Sequence, residues 1–341
     1  VTDFQTVHGF EDVWRPPARP RHIRPHAILS LRGADQGVRP RLVRVAGRAP
    51  EVMVKVTGRT RDPGHLRDHL DYISRNGALE MEDRDGAVID GRAAVKELAE
   101  DWGAIAMSDP RRRANTPISL SLVLSMPAET DPTIVRDAAR AFAREVFADQ
   151  FDYAFALHID APHPHVHIAV RTLGDDGARL NPKKADLEEW RQVFAQAMRD
   201  RGVEAEATPR RARGVTRKAE RTPLRKIRER HEAGLGEPAR VQRAAYREAA
   251  KAAFGGQTAQ TPWETRLLER QARVRSLYLA QAQFLSRSPD TTDRALGAKV
   301  ETFVRSMPQP DSRRLALARE LRATNEAMID QSPKTGREKT R

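Results

Sequence analysis

The sequence predicts an α+β domain, an antiparallel sheet with helices on one face, followed by an all-helical C-terminal extension. Three observations carry this reading. Two segments alternate with the period of a strand, a third folds back on itself at a Pro-containing turn, and amphipathic helical stripes stand between them. The order along the chain is strand, helix, helix, strand, helix, hairpin, helix.

Residues 1–50 are rich in Arg and Pro, as in RPPARPRHIRP, and poor in large apolar residues, which predicts a disordered basic leader. From Glu51 the texture changes. Val52, Val54 and Val56 alternate as in a half-buried strand, and Asp62-Pro63-Gly64 turns the chain into a helix. Leu66, Leu70 and Ile73 form its apolar stripe, and Gly77 after Asn76 is its stop signal. A second helix is expected through GRAAVKELAEDW. PISLSLVLSMP then alternates Ile118, Leu120, Leu122 and Leu124 with mostly Ser, a strand with one polar face. Thr130 to Phe147 reads as an amphipathic helix, and FDYAFALHIDAPHPHVHIAVRTL as two strands joined near Asp160 to Pro164. Asp186 can cap a further helix that ends before Gly202. The one convincing domain therefore covers 51–208. A basic linker is expected over 209–230, with ten basic and two acidic residues in twenty-two positions, then a helical region over 231–330 and a disordered tail over 331–341.

Composition narrows the partners. The 341 residues carry a net charge of +13, which suits a polyanion such as nucleic acid. With 39% hydrophobic and 5% aromatic residues there is enough for one good core, not two. The absence of cysteine removes disulfides, thiolate zinc sites and thiol nucleophiles together. No run of about eighteen apolar residues marks a membrane span.

Four of the ten histidines, His158, His163, His165 and His167, fall within ten residues, with Asp160 among them. His165 and His167 are two apart on a predicted strand and share a face, and His158 can lie opposite them across the turn. Three imidazoles leave one side of a metal ion open, as in catalytic rather than closed structural sites. A surface histidine patch, or a histidine pair hydrogen-bonded to serines of the neighbouring strand, would account for the same residues. Zinc is the usual ion for three imidazoles, whereas the basic flanks argue for a phosphate substrate. Tyr72 shares a helical stripe with His65 and His69 beside the apolar stripe; spacing alone reads it as an ordinary residue at the core's edge. Basic segments offer phosphate contacts: Lys183 and Lys184 in NPKK, Arg171 at the end of the histidine strand, and Arg210, Arg211 and Arg213 beyond it.

Four segments in order, LDYISRNGALEME, KELAEDW, LSMPAETD and HIDAPHPHVHIAVR, resemble the conjugative relaxases, or mobilisation nucleases, of the HUH endonuclease superfamily, closest to the transferred-DNA border-nuclease branch. The resemblance runs from about Glu51 to Gly214. It implies a sheet of about five antiparallel strands with the histidines on the central ones. It implies that Tyr72 attacks a phosphate at an origin of transfer, giving a 5′-phosphotyrosyl bond and a free 3′-hydroxyl. His158, His165 and His167 would then hold a divalent ion, Mg²⁺ or Mn²⁺ by the family's habit, with Zn²⁺ the alternative that imidazoles favour. Asp160 would orient a ligand or accept the phenol proton, and His163 would serve as a base or DNA contact. Glu97, within KELAEDW, reads as a surface carboxylate. Single-stranded DNA, a relaxosome accessory protein and the coupling protein of a type IV secretion channel are the partners implied. The location implied is the bacterial cytoplasm, with export to the recipient cell on the DNA. Three other readings stay open: an HUH replication initiator, which places its tyrosine after the histidines; a non-catalytic DNA-binding accessory protein; and a metal-dependent hydrolase of small substrates.

Overall fold

A computed structural model describes residues 4–14, 37–217, 220–255 and 261–331. They fall into two compact units divided between Pro209 and Arg210, with the segment Thr6–Val13 belonging to the second. The composition argument for one core is thereby corrected, because the second unit builds a small core of its own.

The first unit is a six-stranded antiparallel sheet in the order β1-β4-β6-β5-β2-β3, formed by β1 (Met53–Thr60), β2 (Met81–Asp83), β3 (Val88–Ile89), β4 (Ser119–Ser125), β5 (Tyr153–His158) and β6 (His165–Arg171). The expected α+β class and antiparallel sheet stand, with one strand more than about five. Helices cover both faces rather than one. On the first face α4 (Pro132–Phe147) and α5 (Lys184–Arg199) pack Phe142, Phe147, Trp190 and Phe194 over Leu120, Leu122, Phe155 and Ile168. Phe142 meets Phe147, Trp190 and Phe194 edge to face at 5.9, 6.4 and 6.2 Å, pairs each worth about 0.5–1.5 kcal/mol beyond their buried area. Asp131 starts α4 by accepting from the Thr133 N–H at 2.7 Å.

The second face is paved with small residues. Ala154, Ala156 and Ala169 let α2 (Pro63–Ile73) and α3 (Gly91–Ser108) lie close and bring Leu66, Leu70, Ile73 and Trp102 down onto the sheet. The serines of β4, the polar face of that strand, are buried. The hydroxyls of Ser119 and Thr60 meet at 2.7 Å, one route by which burial is made tolerable.

The N-terminal part needs a second correction. Within the segment expected to be a disordered leader, α1 (Val38–Ala46) buries Leu42 and Val45, and buried Arg44 donates from Nε to Glu206 at 3.0 Å. The chain around Glu206 runs beside the start of β1, where the Val52 N–H donates to the Glu206 carbonyl. Two apolar residues one turn apart and a partnered arginine give this segment a place in the fold. Residues 15–36 of the expected leader, and 332–341 of the expected tail, lie outside the described residues.

The second unit is helical: α6 (Thr222–Glu232), α7 (Arg240–Phe254), α8 (Pro262–Ser286), α9 (Thr291–Arg305) and α10 (Arg313–Gln331). Its core centres on fully buried Tyr278, which meets Phe10 edge to face at 5.6 Å and Phe303 at 5.5 Å. Over 209–230, expected as a linker, the chain instead forms a 3₁₀ turn (Arg210–Arg213), with Ala212 buried, and most of α6.

Candidate active site

The site is built on the second face of the sheet. Strand pairing sets His158 directly opposite His165, while β6 alternation keeps His165 and His167 on one side. The ring centroids are 4.4 Å apart for His158 and His167, 5.3 Å for His158 and His165, and 5.2 Å for His165 and His167. One nitrogen from each ring lies within 4.8 Å of the others.

The hydrogen bonds orient two of these rings. His158 donates from Nε2 to the Ile73 carbonyl at 2.7 Å, which leaves the Nδ1 lone pair, and Arg75 reaches that atom at 3.2 Å. His165 donates from Nδ1 to the His163 carbonyl at 3.0 Å, which leaves Nε2. Burial lowers the His167 imidazole to about 3, with His158, His165, His69 and Arg75 adding positive charge nearby. His158 is lowered mainly by burial, against the bond to Ile73. Two of the three imidazoles have an N–H held by a backbone carbonyl, and the donor set fits a divalent ion held by His158, His165 and His167 once Arg75, which donates to His158 Nδ1, yields that lone pair.

Tyr72 reaches this cluster from α2. Asp62 accepts from the His65 N–H at 2.8 Å and Pro63 takes the first helical position, so the helix starts where the sequence predicts. Its end delivers the phenol: the Tyr72 ring lies 5.6 Å from His167, edge to face, and 6.4 Å from His158, and is 55% exposed. A residue at the edge of the core would pack; this one is anchored at its base and open at its hydroxyl.

Arg75, which sequence reasoning did not single out, joins this cluster. The chain leaves α2 through three left-handed residues, Arg75 (φ 53°), Asn76 (φ 57°) and Gly77 (φ 79°). This turn sends the Arg75 guanidinium back over the Tyr72 ring at 5.1 Å, onto His158 and into an ion pair with Asp160. The available signal was the R-N-G stop itself, which needs positive φ. His69 is a second such group: its Nδ1 is buried without a partner, and burial, with His65 beside it, lowers the ring to about 4.

The remaining predicted residues separate. Asp160 is exposed beside Arg75; desolvation would raise its carboxyl, but the Arg75 charge and those of His158 and His165 hold it below its usual range. The His163 side chain is exposed, and its carbonyl rather than its ring serves the triad. Arg171 shares the strand face of the histidines but sits at the other end of β6, about 20 Å from His165 at the rise of a strand. It is buried and ion-paired to Asp152 and Asp175, both at 2.7 Å, which corrects its assignment as a DNA contact. Lys183 and Lys184 are exposed but stand at the start of α5, on the opposite face of the sheet, so they are not beside the histidines. Arg210, Arg211 and Arg213 form the 3₁₀ turn that opens the helical unit. Glu97 is exposed on α3.

The site sets an exposed tyrosine beside a histidine triad on an antiparallel sheet, and residues 72–203 match the relaxase family, MobA/VirD2-like, nuclease domain. The chain is 27% identical over 186 residues to the T-DNA border endonuclease VirD2 of Rhizobium radiobacter, and 27% over 206 residues to that of Agrobacterium fabrum (strain C58 / ATCC 33970). To the VirD2 of Rhizobium rhizogenes it is 26% identical over 184 residues. These matches cover 48%, 52% and 48% of this chain but only 43%, 46% and 42% of the relatives, so the chain spans less than half of the proteins it matches. A chain in the solved structure "Molecular Basis of Vancomycin Resistance Transfer in Staphylococcus aureus" is 14% identical, with a TM-score of 0.33, covering 47% of this chain and 99% of that one.

Proposed function

We propose that this protein nicks one strand of DNA at an origin of transfer and transfers that strand through a 5′-phosphotyrosyl bond on Tyr72, starting conjugative mobilisation. The observation that carries the reading is the placement of a half-exposed tyrosine within 5.6 Å of His167 and 6.4 Å of His158. Relatives named as border endonucleases support DNA as the substrate.

The residues divide the work as follows. The Tyr72 oxygen attacks the scissile phosphorus, the bond from phosphorus to the 3′-oxygen breaks, and that oxygen takes a proton and leaves as a 3′-hydroxyl. The phosphodiester is exchanged for another, so a 3′-hydroxyl can reverse the step without ATP. A divalent ion held by His158, His165 and His167 would polarise a nonbridging phosphate oxygen. Arg75 fixes the phenol ring and offers its charge to the phosphate. An arriving phosphate competes with Asp160 for Arg75, and the carboxylate so released is the proposed acceptor for the phenol proton. His163, exposed on the turn, is the proposed contact to flanking DNA, and Arg210, Arg211 and Arg213 are proposed as phosphate contacts of the helical unit. The described residues include no helix long and apolar enough to cross a membrane. A relaxosome accessory protein and a secretion coupling protein are the proposed partners.

The test is incubation with Mn²⁺ or Mg²⁺ and a supercoiled plasmid carrying the transfer origin found beside the gene, followed by denaturing gels with and without protease. Nicked circles with protein on the 5′ end, lost in Tyr72→Phe and in His165→Ala, are expected. Nicking that survives Tyr72→Phe assigns the nucleophile elsewhere, and tight binding without cleavage under any ion favours the accessory-protein reading.

A further inference from the structure

We propose that the helical unit carries a second site for single-stranded DNA, in the groove between α6, α7 and α10. This inference does not depend on the nicking reaction. The groove has a volume of about 880 Å³ and is lined by Arg228 of α6, by Arg240, Arg243, Tyr246 and Arg247 of α7, and by Arg313 of α10.

Its charge is uneven in a way that a merely solvated helix face does not require. Glu220 is shared by Arg228 at 2.9 Å, Arg313 at 3.2 Å and Gln242 at 3.0 Å, and so ties the three helices together while satisfying two arginines. The acidic residue of the lining, Glu232, is also taken by Arg228 at 2.9 Å. On α7, Glu248 pairs with Lys251 rather than with a groove arginine. Arg240 and Arg247 therefore have no carboxylate partner among the described residues, and Arg243 has an exposed one, Glu237, at 3.7 Å. These three recur at i, i+3 and i+7, one helix face spanning about 10 Å.

Tyr246 stands on the same rim and is 55% exposed, although Ala249 and Ala252, farther along α7, are buried against Ala318 of α10. An open aromatic ring among unpaired arginines is the arrangement that stacks bases and follows a phosphate backbone without reading sequence. An unpaired base can lay its face on the Tyr246 ring, whereas a base inside a duplex is already stacked on its neighbours. The occupant that fits both features is a single strand of DNA.

The test uses the full chain carrying Tyr72→Phe, so that nothing is cut, and a labelled oligothymidine containing 5-iododeoxyuridine. Ultraviolet crosslinking followed by peptide mass spectrometry is expected to mark the peptide that holds Tyr246. Tyr246→Ala is expected to weaken binding about tenfold. Arg240→Ala with Arg247→Ala should reduce the slope of log affinity against log salt by about 1.4, two phosphate contacts at about 0.7 each. All three side chains are exposed, and unchanged helicity by circular dichroism will show that the fold persists. Crosslinks confined to the nuclease domain, an unchanged salt slope, or equal crosslinking of Tyr246 by duplex would overturn the proposal. Plasmid nicking, measured separately with Tyr72 intact, tells failure of the groove from failure of the nuclease reading.

Discussion

Arg75 holds three partners at once: the Tyr72 ring, His158 Nδ1 and the Asp160 carboxylate. The ion pair is about half exposed and worth little by itself, whereas a cation over an aromatic face contributes about 0.5–2 kcal/mol. The expected result of Arg75→Ala is a nicking rate about tenfold lower, roughly 1.4 kcal/mol of transition-state stabilisation. Arg75→Lys keeps the charge but lacks the planar fork and should restore only part of the rate. Single-turnover assays on a labelled oligonucleotide check this, and a rate untouched by either change would remove Arg75 from the positioning of Tyr72. The histidines were legible in the sequence because spacing alone sets which face of a strand they share, whereas Tyr72, by spacing an ordinary residue at the core's edge, was singled out only by the family resemblance. Arg75 was not, because its role comes from a left-handed turn that reverses its direction. Arg171 misled for the opposite reason: parity gave it the right face, but its position along β6 put it at the wrong end.

The exit of α2 makes a strict steric demand. Gly77 combines φ 79° with close approach to the start of α3, where an added Cβ would fall 2.7 Å from the Gly91 carbonyl carbon and 2.9 Å from Arg92 Cα. Gly77→Ala should therefore destabilise the sheet-containing unit by about 2 kcal/mol or more, seen as a lowered urea midpoint at unchanged slope. An unaltered midpoint would mean that α3 yields without cost. The longer elements of this unit were readable: α2, α3, α4, β4 and the β5–β6 hairpin each span enough residues to show a period. The β2–β3 hairpin did not show one, since three and two residues are too few, although the Asp85-Gly86 turn between them was a usable sign. Helix α1 was lost in an Arg-rich context because its stability depends on Glu206, distant in sequence. That the serine face of β4 is covered was not legible, because small polar side chains look the same whether water or a helix lies over them.

For the molecule as a whole, the helical unit stands on a buried carboxylate. Desolvation would raise Glu264, but Arg314, Ser312 and Thr261 hydrogen-bond it down to about 2 from an ordinary 4.5. A lowered folded-state value means that its contribution is fully present above about 4.5 and is lost as pH falls toward about 2. The stability gap between the protein and Glu264→Gln should thus narrow across that window in calorimetric scans. A gap independent of pH would show that Glu264 acts through packing alone. The strand order carries a consequence of another kind. β5 and β6 lie inside the sheet, bonded on both sides, while β1 and β3 form its edges. A one-residue slip of β6 would turn His165 and His167 to the opposite face, whereas the bulge in β1 shows that the rim absorbs irregularity. Over evolutionary time, insertions should accumulate at the margins and in the helical unit, leaving the middle of the sheet as the slowest-changing record of the protein's ancestry.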